Sequence, residues 1–235
     1  MLPRSGTRRR GVHEGLRQAV VHGICQELGI PSAGFLTVAQ ARELLLRGEK
    51  VVVKPGHDRG GAIEVCLIEH ADDLNRAIAA AQTPEADCLI QSLISGNAAA
   101  MRSLTVVMDG ASNLLASFQL QKLRHVPATG GNTALARSCD EPAIVAIVLP
   151  FFRNCGWRGP AEVEFKSDAS SGCFRVIEIN PRFPGTLRLS VLCGLDLPLL
   201  VAQATIGSPM PALPRLPAYP EGKRYLASTL LPDPC

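Results

Sequence analysis

Two acidic side chains on neighbouring predicted strands are the groups in this sequence best placed to do chemistry. Residues 161–166, AEVEFK, alternate apolar and polar side chains, which is typical of a strand with one buried face. Residues 174–180, FRVIEIN, alternate in the same way after a turn rich in Ser, Asp and Gly. A turn centred near Ser171 would place Glu164 opposite Glu178, with Cβ atoms about 4.5–5.5 Å apart. The pattern therefore predicts a β-hairpin that holds two carboxylates side by side.

Two opposed carboxylates repel each other unless a cation lies between them. Mg²⁺ suits this position, because it prefers oxygen ligands and is usually held by one or two carboxylates plus substrate phosphates. By strand alternation, Val176 and Asn180 share the face of Glu178, so Asn180 would add a neutral oxygen. Arg182, just beyond this strand, could grip a phosphate or carboxylate. The alternative is a solvated strand face on which Lys166 neutralises one acid.

A glycine-containing loop is the second stretch with chemical potential. The predicted strand 50–54, KVVVK, runs directly into PGHDRGG at residues 55–61. Glycines let successive backbone N–H groups point at an anion, and Lys54 at the strand end would add a positive charge. The loop lacks the GK[ST] of a P-loop, so a simple turn between two strands remains the alternative.

A basic pair marks a third stretch. Lys122 and Arg124 are two residues apart at the end of a predicted strand, so we expect them on one face, ahead of PATGGNT at residues 127–133. Cations on one face of a strand can bind a phosphoryl group or simply form an exposed basic edge.

The composition indicates a globular cytoplasmic protein. With 46% hydrophobic and 19% charged residues the chain has the balance of a folded domain, and its net charge of +3 is modest. Several arginines lie near the start, so we expect residues 1–12 to form a basic disordered tail and expect no nucleic-acid binding. The eight cysteines form no CxxC motif, which favours reduced thiols over disulfides or zinc. The sequence shows no secretory signal and no apolar stretch of about 20 residues, so we expect no membrane association.

Hydrophobic periodicity predicts a chain of mixed helices and strands. The predicted helices cover about residues 13–28, 37–48, 72–82, 141–155, 186–193 and 196–206. The predicted strands cover about residues 50–54, 63–69, 87–94, 103–109, 114–123, 161–166 and 174–180. Thr37 and Gln40 have the spacing of a capping box, and Pro150 is expected to kink its helix. Prolines recur from Ser208 onward, which predicts an extended tail with no core of its own.

The hairpin carries a resemblance to a known family. VEF, a turn and then EINPR resemble the metal-binding hairpin of the ATP-grasp superfamily, and GWRG before it and GLDLP after it are similar to a bacterial branch of predicted ATP-grasp carboligases. The resemblance covers about residues 25–207 and implies an α+β fold of two lobes, with antiparallel sheets, flanking helices and an ATP cleft between the lobes. It implies an N-terminal helix and small lid lobe at 13–90, a larger lobe with the metal-binding hairpin at 91–207, and a proline-rich C-terminal tail at 208–235.

The same resemblance implies three groups of site residues. Those implied to hold the metal ions, Mg²⁺ or Mn²⁺, are Glu164, Glu178 and Asn180. Those implied to bind ATP are Lys54, Gly60, Gly61, Gln91, Ser92, Ile94, Thr129 and Gly130. Those implied to act near the transferred phosphoryl group and the acyl acceptor are Arg182, Lys122 and Arg124.

One stretch departs from the family pattern. The strand at 87–94 corresponds to the hinge between lobes, where relatives usually carry an acid and a second acid just after the following glycine. This chain has Ser92, Asn97 and Ala98 instead. The sequence therefore leaves the nucleotide affinity and the base preference open.

The implied reaction is carried out on small molecules. ATP would phosphorylate a carboxylate, and an amine or similar nucleophile would attack the acyl phosphate. The alternative is a nucleotide-binding or regulatory module, or a subunit, without ligase turnover of its own. The separate domain that usually precedes the nucleotide region is missing from the sequence. We therefore expect that a partner chain or a homodimer supplies its surface, that the site is rebuilt, or that the activity has faded.

Overall fold

The structure is a computed structural model that describes residues 18–55, 65–81, 88–126, 131–206 and 219–227. Its helices are α1 (Gln18–Glu27), α2 (Val38–Leu46), α3 (Leu74–Ala81), α4 (Pro142–Cys155), α5 (Arg188–Leu192) and α6 (Leu197–Thr205). Its strands are β1 (Val51–Pro55), β2 (Cys66–Ile68), β3 (Cys88–Ser92), β4 (Met101–Met108), β5 (Leu114–Val126), β6 (Asn132–Ser138), β7 (Gly159–Ser167), β8 (Phe174–Asn180) and β9 (Arg224–Leu226). None of the described helices is long and apolar enough to cross a membrane.

The small sheet has its own hydrophobic core. Its strand order is β2-β1-β3, and both pairings are antiparallel. Apolar side chains of α2 and α3, such as Leu45 and Leu74, pack on strand residues that include Val51, Val53 and Ile90. The assignment of this part of the chain as a lid lobe stays a prediction.

The capping box at the start of α2 is confirmed. The Thr37 side chain accepts a hydrogen bond from the Gln40 N–H at 3.2 Å, and the Gln40 side chain accepts one from the Thr37 N–H at 2.9 Å. Two N–H groups that would otherwise lack partners in the first turn are thereby satisfied.

The large sheet has six antiparallel strands in the order β8-β7-β4-β5-β6-β9. One of its faces is covered by α1 and α4, where Phe151, Phe152 and Trp157 are fully buried. The other face is covered in part by α5 and α6, with Leu189 and Leu197 fully buried against it. The rest of that second face carries polar side chains.

Helix α4 runs through Pro150 to Cys155, as the periodicity predicts, and Gly156 ends it. Gly156 has a φ of 62°, a left-handed conformation that glycine adopts without steric cost. The kink at Pro150 stays a prediction.

Helix α1 packs on the large sheet, although it precedes the small sheet in the chain. The Gln18 side-chain amide donates to the Ile179 carbonyl at 3.0 Å, and Val21 and Cys25 are buried against β8. The division into a lobe at 13–90 and a lobe at 91–207 therefore groups α1 with the wrong sheet.

The segment 219–227 docks on the large sheet. Strand β9 pairs with β6, and the buried Tyr219 hydroxyl accepts from the Gln119 N–H and donates to the Cys139 carbonyl, both at 3.0 Å. This docked segment corrects the prediction of an extended tail, because the backbone of β6 and the hydroxyl of one tyrosine give it partners that the prolines do not reveal. The rest of 208–235 lies outside the described residues.

Candidate functional site

A cleft of about 260 Å³ lies between the small sheet and the exposed polar face of the large sheet. Both sheets line it: Lys54 comes from β1, Gln91 from β3, and Glu164 from β7. Most residues of the segment 92–98, which follows β3, line it as well. The two sheets therefore bring together residues that are more than one hundred positions apart in the sequence.

Two carboxylates face each other on the wall of this cleft. Glu164 on β7 lies directly opposite Glu178 on β8, in the register that the sequence predicts. The neighbouring pair in the ladder is Glu162 and Asn180. Val163, which alternates with these acids, is buried under α4, so the acids point to the opposite face.

A β-bulge beside the acid pair corrects part of the predicted alternation. The register between β7 and β8 shifts by one residue just after Glu164. Val176 is consequently buried in the core with Ile179, whereas Ile177 and Glu178 both line the cleft. The prediction that Val176 shares the face of Glu178 is wrong, because the extra residue in one strand inverts the alternation.

Two lysines neutralise the acid pair. The Lys122 ammonium lies 2.5 Å from a Glu164 carboxylate oxygen, and the Lys54 ammonium lies 3.4 Å from a Glu178 oxygen. Both lysines are buried, with 4% of Lys122 and 7% of Lys54 exposed. Since Lys54 belongs to the small sheet, its contact with Glu178 is an ionic link between the two sheets.

The charges of this cluster shift the pKa values of its members. Burial by itself would lower the pKa of Lys122, but the carboxylates of Glu164, Glu162 and Glu178 outweigh burial and raise that pKa. Burial opposes ionisation of Glu164 too, yet the nearby Lys122 ammonium holds the pKa of that carboxyl below its usual value. Lys122 and Glu164 therefore form a charged pair at neutral pH.

Glu162 is an acid of this cluster that the sequence reasoning did not single out. Its carboxylate accepts from the Ser103 hydroxyl at 2.8 Å and pairs with the Arg182 guanidinium at 3.0 Å. Burial and the neighbouring charge of Glu164 raise the pKa of the Glu162 carboxyl. The signal was present in EVE, since two acids two residues apart on a strand share a face. Arg182 is partly exposed and lies outside the cleft lining.

Asn180 provides a test of whether the site fits a metal ion. Its side-chain oxygen is buried and makes no hydrogen bond to any described residue. A buried oxygen without a donor is costly, and a cation would satisfy it. Among the described residues no group of three or more His, Cys, Asp and Glu is placed to hold a metal, so a site here depends on the Asn180 amide oxygen. Two carboxylates and an amide oxygen form a donor set suited to Mg²⁺ or Mn²⁺.

The structure brings most of the sequence-predicted residues that it describes into one cleft. Those that line the cleft are Lys54, Gln91, Ser92, Ile94, Lys122, Glu164 and Glu178. Asn180 lies in the adjacent pair of the ladder. The predictions for Gly60, Gly61, Thr129 and Gly130 fall on residues outside the described ranges.

Arg124 is not brought into the cleft. The register between β5 and β6 shifts on both sides of Arg124, so strand alternation is broken between Lys122 and His125. Lys122 and His125 line the cleft, whereas Arg124 is exposed. This finding corrects the prediction that Lys122 and Arg124 share one face, which assumed a regular strand. The His125 Nε2 atom is buried without a hydrogen bond to the described residues.

His22 on α1 contacts Gln91 of β3 and supports that strand. The His22 Nε2 atom lies 3.1 Å from the Ile177 carbonyl and 3.1 Å from the Gln91 side-chain amide, and its ring meets the Phe35 ring edge-on. Burial, aided by the charge of Lys54, lowers the pKa of His22 to about 4. The imidazole is therefore neutral at physiological pH and fixes the position of Gln91.

Comparison with known proteins accords with this site. Residues 113–221 match the family described as "ATP-grasp in the biosynthetic pathway with Ter operon", a range that contains Lys122 and the whole hairpin. This part of the chain is similar to ATP-grasp proteins. A D-alanine–D-alanine ligase of Alcanivorax borkumensis is 25% identical over 164 residues, which are 65% of this chain and 50% of that protein. The chain thus spans about half the length of this relative.

Solved structures share the ATP-grasp fold. Biotin carboxylase from Campylobacter jejuni, described as a β,γ-ATP complex, superimposes with a TM-score of 0.68 and 16% identity over 83% of this chain and 47% of that chain. The biotin carboxylase domain of 2-oxoglutarate carboxylase from Hydrogenobacter thermophilus, in complex with MgADP, ADP and bicarbonate, has a TM-score of 0.66 and 16% identity over 83% and 46%. The predicted mixture of helices and antiparallel sheets is confirmed.

Proposed function

We propose that this chain binds ATP with Mg²⁺ in the cleft and uses it to activate a carboxylate as an acyl phosphate, which an amine or similar nucleophile then attacks. The observation that carries the proposal is the opposed pair Glu164 and Glu178, flanked by two buried lysines and by the unsatisfied oxygen of Asn180. This combination of acids and cations suits a complex of metal and phosphate better than it suits a metal ion alone or a phosphate alone.

Each of these groups has a task in such a reaction. Glu164, Glu178 and Asn180 would hold Mg²⁺ or Mn²⁺, which supplies positive charge to the phosphates when bound. Lys54 and Lys122 reach the same cleft wall and would stabilise negative charge on the transferred phosphoryl group. Arg182, which pairs with Glu162, would add a cation beside the cleft.

The apolar part of the cleft suits the base of the nucleotide. Ile94, Ala98 and Met101 give the cleft apolar lining on and just after the segment that follows β3. Ligand sites commonly combine apolar walls with a few placed polar groups. No side chain need act as a nucleophile, because the carboxylate substrate itself attacks the phosphoryl group.

Nucleotide binding without turnover is the second candidate function. It is favoured by Ser92, Asn97 and Ala98, which line the cleft where the family resemblance implies acids. In that case a partner chain or a second copy would supply the rest of the acceptor site.

Calorimetric titration of Mg-ATP tests the proposal. We expect micromolar or tighter binding by the wild type that requires Mg²⁺ and weakens at least about tenfold in Glu178→Gln, which keeps the side-chain shape and removes the charge. Glu69→Gln is the matched control, since Glu69 is an exposed acid paired with Lys50 on the small sheet.

The outcomes separate the two candidate functions. Release of ADP with a carboxylate and amine pair would support the ligase, and tight binding without ADP release across a substrate screen would support the binding module. A folded wild type that binds no Mg-ATP would reject both.

A further inference from the structure

Lys166 is a cleft residue to which the proposed phosphoryl transfer assigns no task. It lies on β7 two residues beyond Glu164, opposite Met101 of β4. Its Cε atom lies 3.5 Å from the position that a Cβ on Gly96 would occupy. The side chain of Lys166 therefore extends along the hinge segment 92–98, whereas Lys122 extends to the acid pair.

The Lys166 ammonium has no anionic partner among the residues that the structure describes. The described part of the chain gives it no hydrogen bond and no ion pair. A half-buried ammonium has three donors and no acceptor, so it is stabilised by any acceptor that a ligand brings.

Apart from Lys166, the cleft lining around residues 92–101, which we call the hinge end, is apolar or neutral. Its described lining includes Ile94, Asn97, Ala98 and Met101. The carboxylates in the described lining are Glu164 and Glu178, and both are already paired with lysines. A ligand group at the hinge end thus meets the Lys166 ammonium, which only donates hydrogen bonds, and meets no carboxylate of the described lining.

We propose that the Lys166 ammonium donates a hydrogen bond to the nucleobase, so that the cleft binds guanine nucleotides at least as well as adenine nucleotides. This inference rests on the proposed function, in which the phosphates lie at the acid pair and the base at the hinge. Guanine presents two acceptors side by side, N7 and O6, whereas adenine presents the N7 acceptor beside an amino donor. A lysine, which only donates, satisfies the guanine edge and leaves the adenine amino group without a partner.

Calorimetric titrations of Mg-GTP and Mg-ATP into wild type and Lys166→Met test this assignment. Methionine keeps the length and apolar stem of lysine and removes the ammonium. We expect the affinity for GTP to fall about tenfold in Lys166→Met, while the affinity for ATP changes much less. Lys166→Arg retains a donor and should retain GTP binding. Lys223→Met is the control, because Lys223 is an exposed lysine outside the cleft.

Magnesium tripolyphosphate, which has no base, separates failure of this inference from failure of the proposed function. An equal loss of GTP and ATP affinity in Lys166→Met, or no loss of either, would overturn the role of Lys166 in base reading. Wild type that binds Mg-ATP and tripolyphosphate but not GTP would overturn it too, while the proposed function stands. Folded wild type that binds none of the three ligands would overturn both proposals.

Discussion

The acids of the cleft are each offset by a cation, which determines what the site can bind. Glu164 is paired with Lys122, Glu178 with Lys54, and Glu162 with Arg182. Isolated buried charges cost several kcal/mol, so these pairings stabilise the cluster of acids. A divalent cation alone would add uncompensated positive charge to this balanced cluster. We therefore expect the site to accept the metal together with an anionic ligand rather than by itself.

The pair of Lys122 and Glu164 predicts strong coupling between two substitutions. Lys122→Met leaves the Glu164 carboxylate without its closest cation and should reduce the free energy of unfolding by about 3 kcal/mol. Glu164→Gln leaves the buried ammonium without its closest carboxylate and should destabilise as well. The double variant should lose clearly less than the sum of the single losses. Urea unfolding at pH 7 measures all three, and additive losses would show that the two side chains do not interact.

His22 predicts a pH dependence of stability. The pKa of its imidazole is 6.5 when exposed and falls to about 4 in the fold, so the unfolded chain binds more protons between these values. The contribution of neutral His22 is thus complete above pH 6.5 and is lost as the pH falls toward 4, by up to roughly 3 kcal/mol.

Replacement of His22 by Gln isolates this contribution. Between pH 7 and pH 4.5, the free energy of unfolding should fall less in His22→Gln than in wild type, because the variant has no imidazole to protonate. His70→Gln is the control, since His70 is exposed on the small sheet side of the chain. Parallel pH profiles for wild type and His22→Gln in urea unfolding would contradict the assignment.

At the scale of strands and helices, regular patterns were readable from the sequence and irregular ones were not. The hairpin register that sets Glu164 opposite Glu178 follows from alternation and a short turn, and the structure has it. The β-bulges beside Glu164 and Arg124 invert alternation locally, and nothing in residue type announces them. His125 was missed for that reason, because a regular strand would place it on the face away from Lys122.

The position of α1 shows a second limit of prediction from the sequence, which is that the packing partner of a helix is not predicted. Its amphipathic stripe predicts a helix, but the surface that receives the stripe is β8, 161 residues further along the chain at the contact between Gln18 and Ile179. Periodicity gives the buried face of a helix and not its partner. Contacts of such large sequence separation depend on the topology of the sheet, which no local pattern contains.

At the scale of the whole molecule, two separately packed sheets are joined by polar contacts between described residues. Each sheet has its own hydrophobic cluster. The described links between them include the ion pair of Lys54 and Glu178 and the contact between His22 on α1 and Gln91 on β3. The family resemblance supplied the two-lobe arrangement, since composition and periodicity alone predict only a mixed chain.

The C-terminal segment is held to the large sheet by a contact that one substitution can test. The Tyr219 hydroxyl bridges the Gln119 N–H and the Cys139 carbonyl, 100 and 80 residues away in sequence. Tyr219→Phe keeps the ring against Phe118 and removes the hydroxyl, which leaves a buried N–H without its acceptor. We expect the free energy of unfolding to fall by about 1–3 kcal/mol.

Tyr225→Phe is the matched control for this prediction. Tyr225 packs against the same cluster from β9, and its hydroxyl makes no hydrogen bond to the described residues, so its loss should change stability by less than about 0.5 kcal/mol. Urea unfolding of both variants decides between two arrangements of the chain. If the segment is docked, only Tyr219→Phe is destabilised, because only that hydroxyl satisfies buried backbone groups. If Tyr219→Phe is as stable as Tyr225→Phe, the segment does not contribute to the fold, and the open edge of β6 would need another partner.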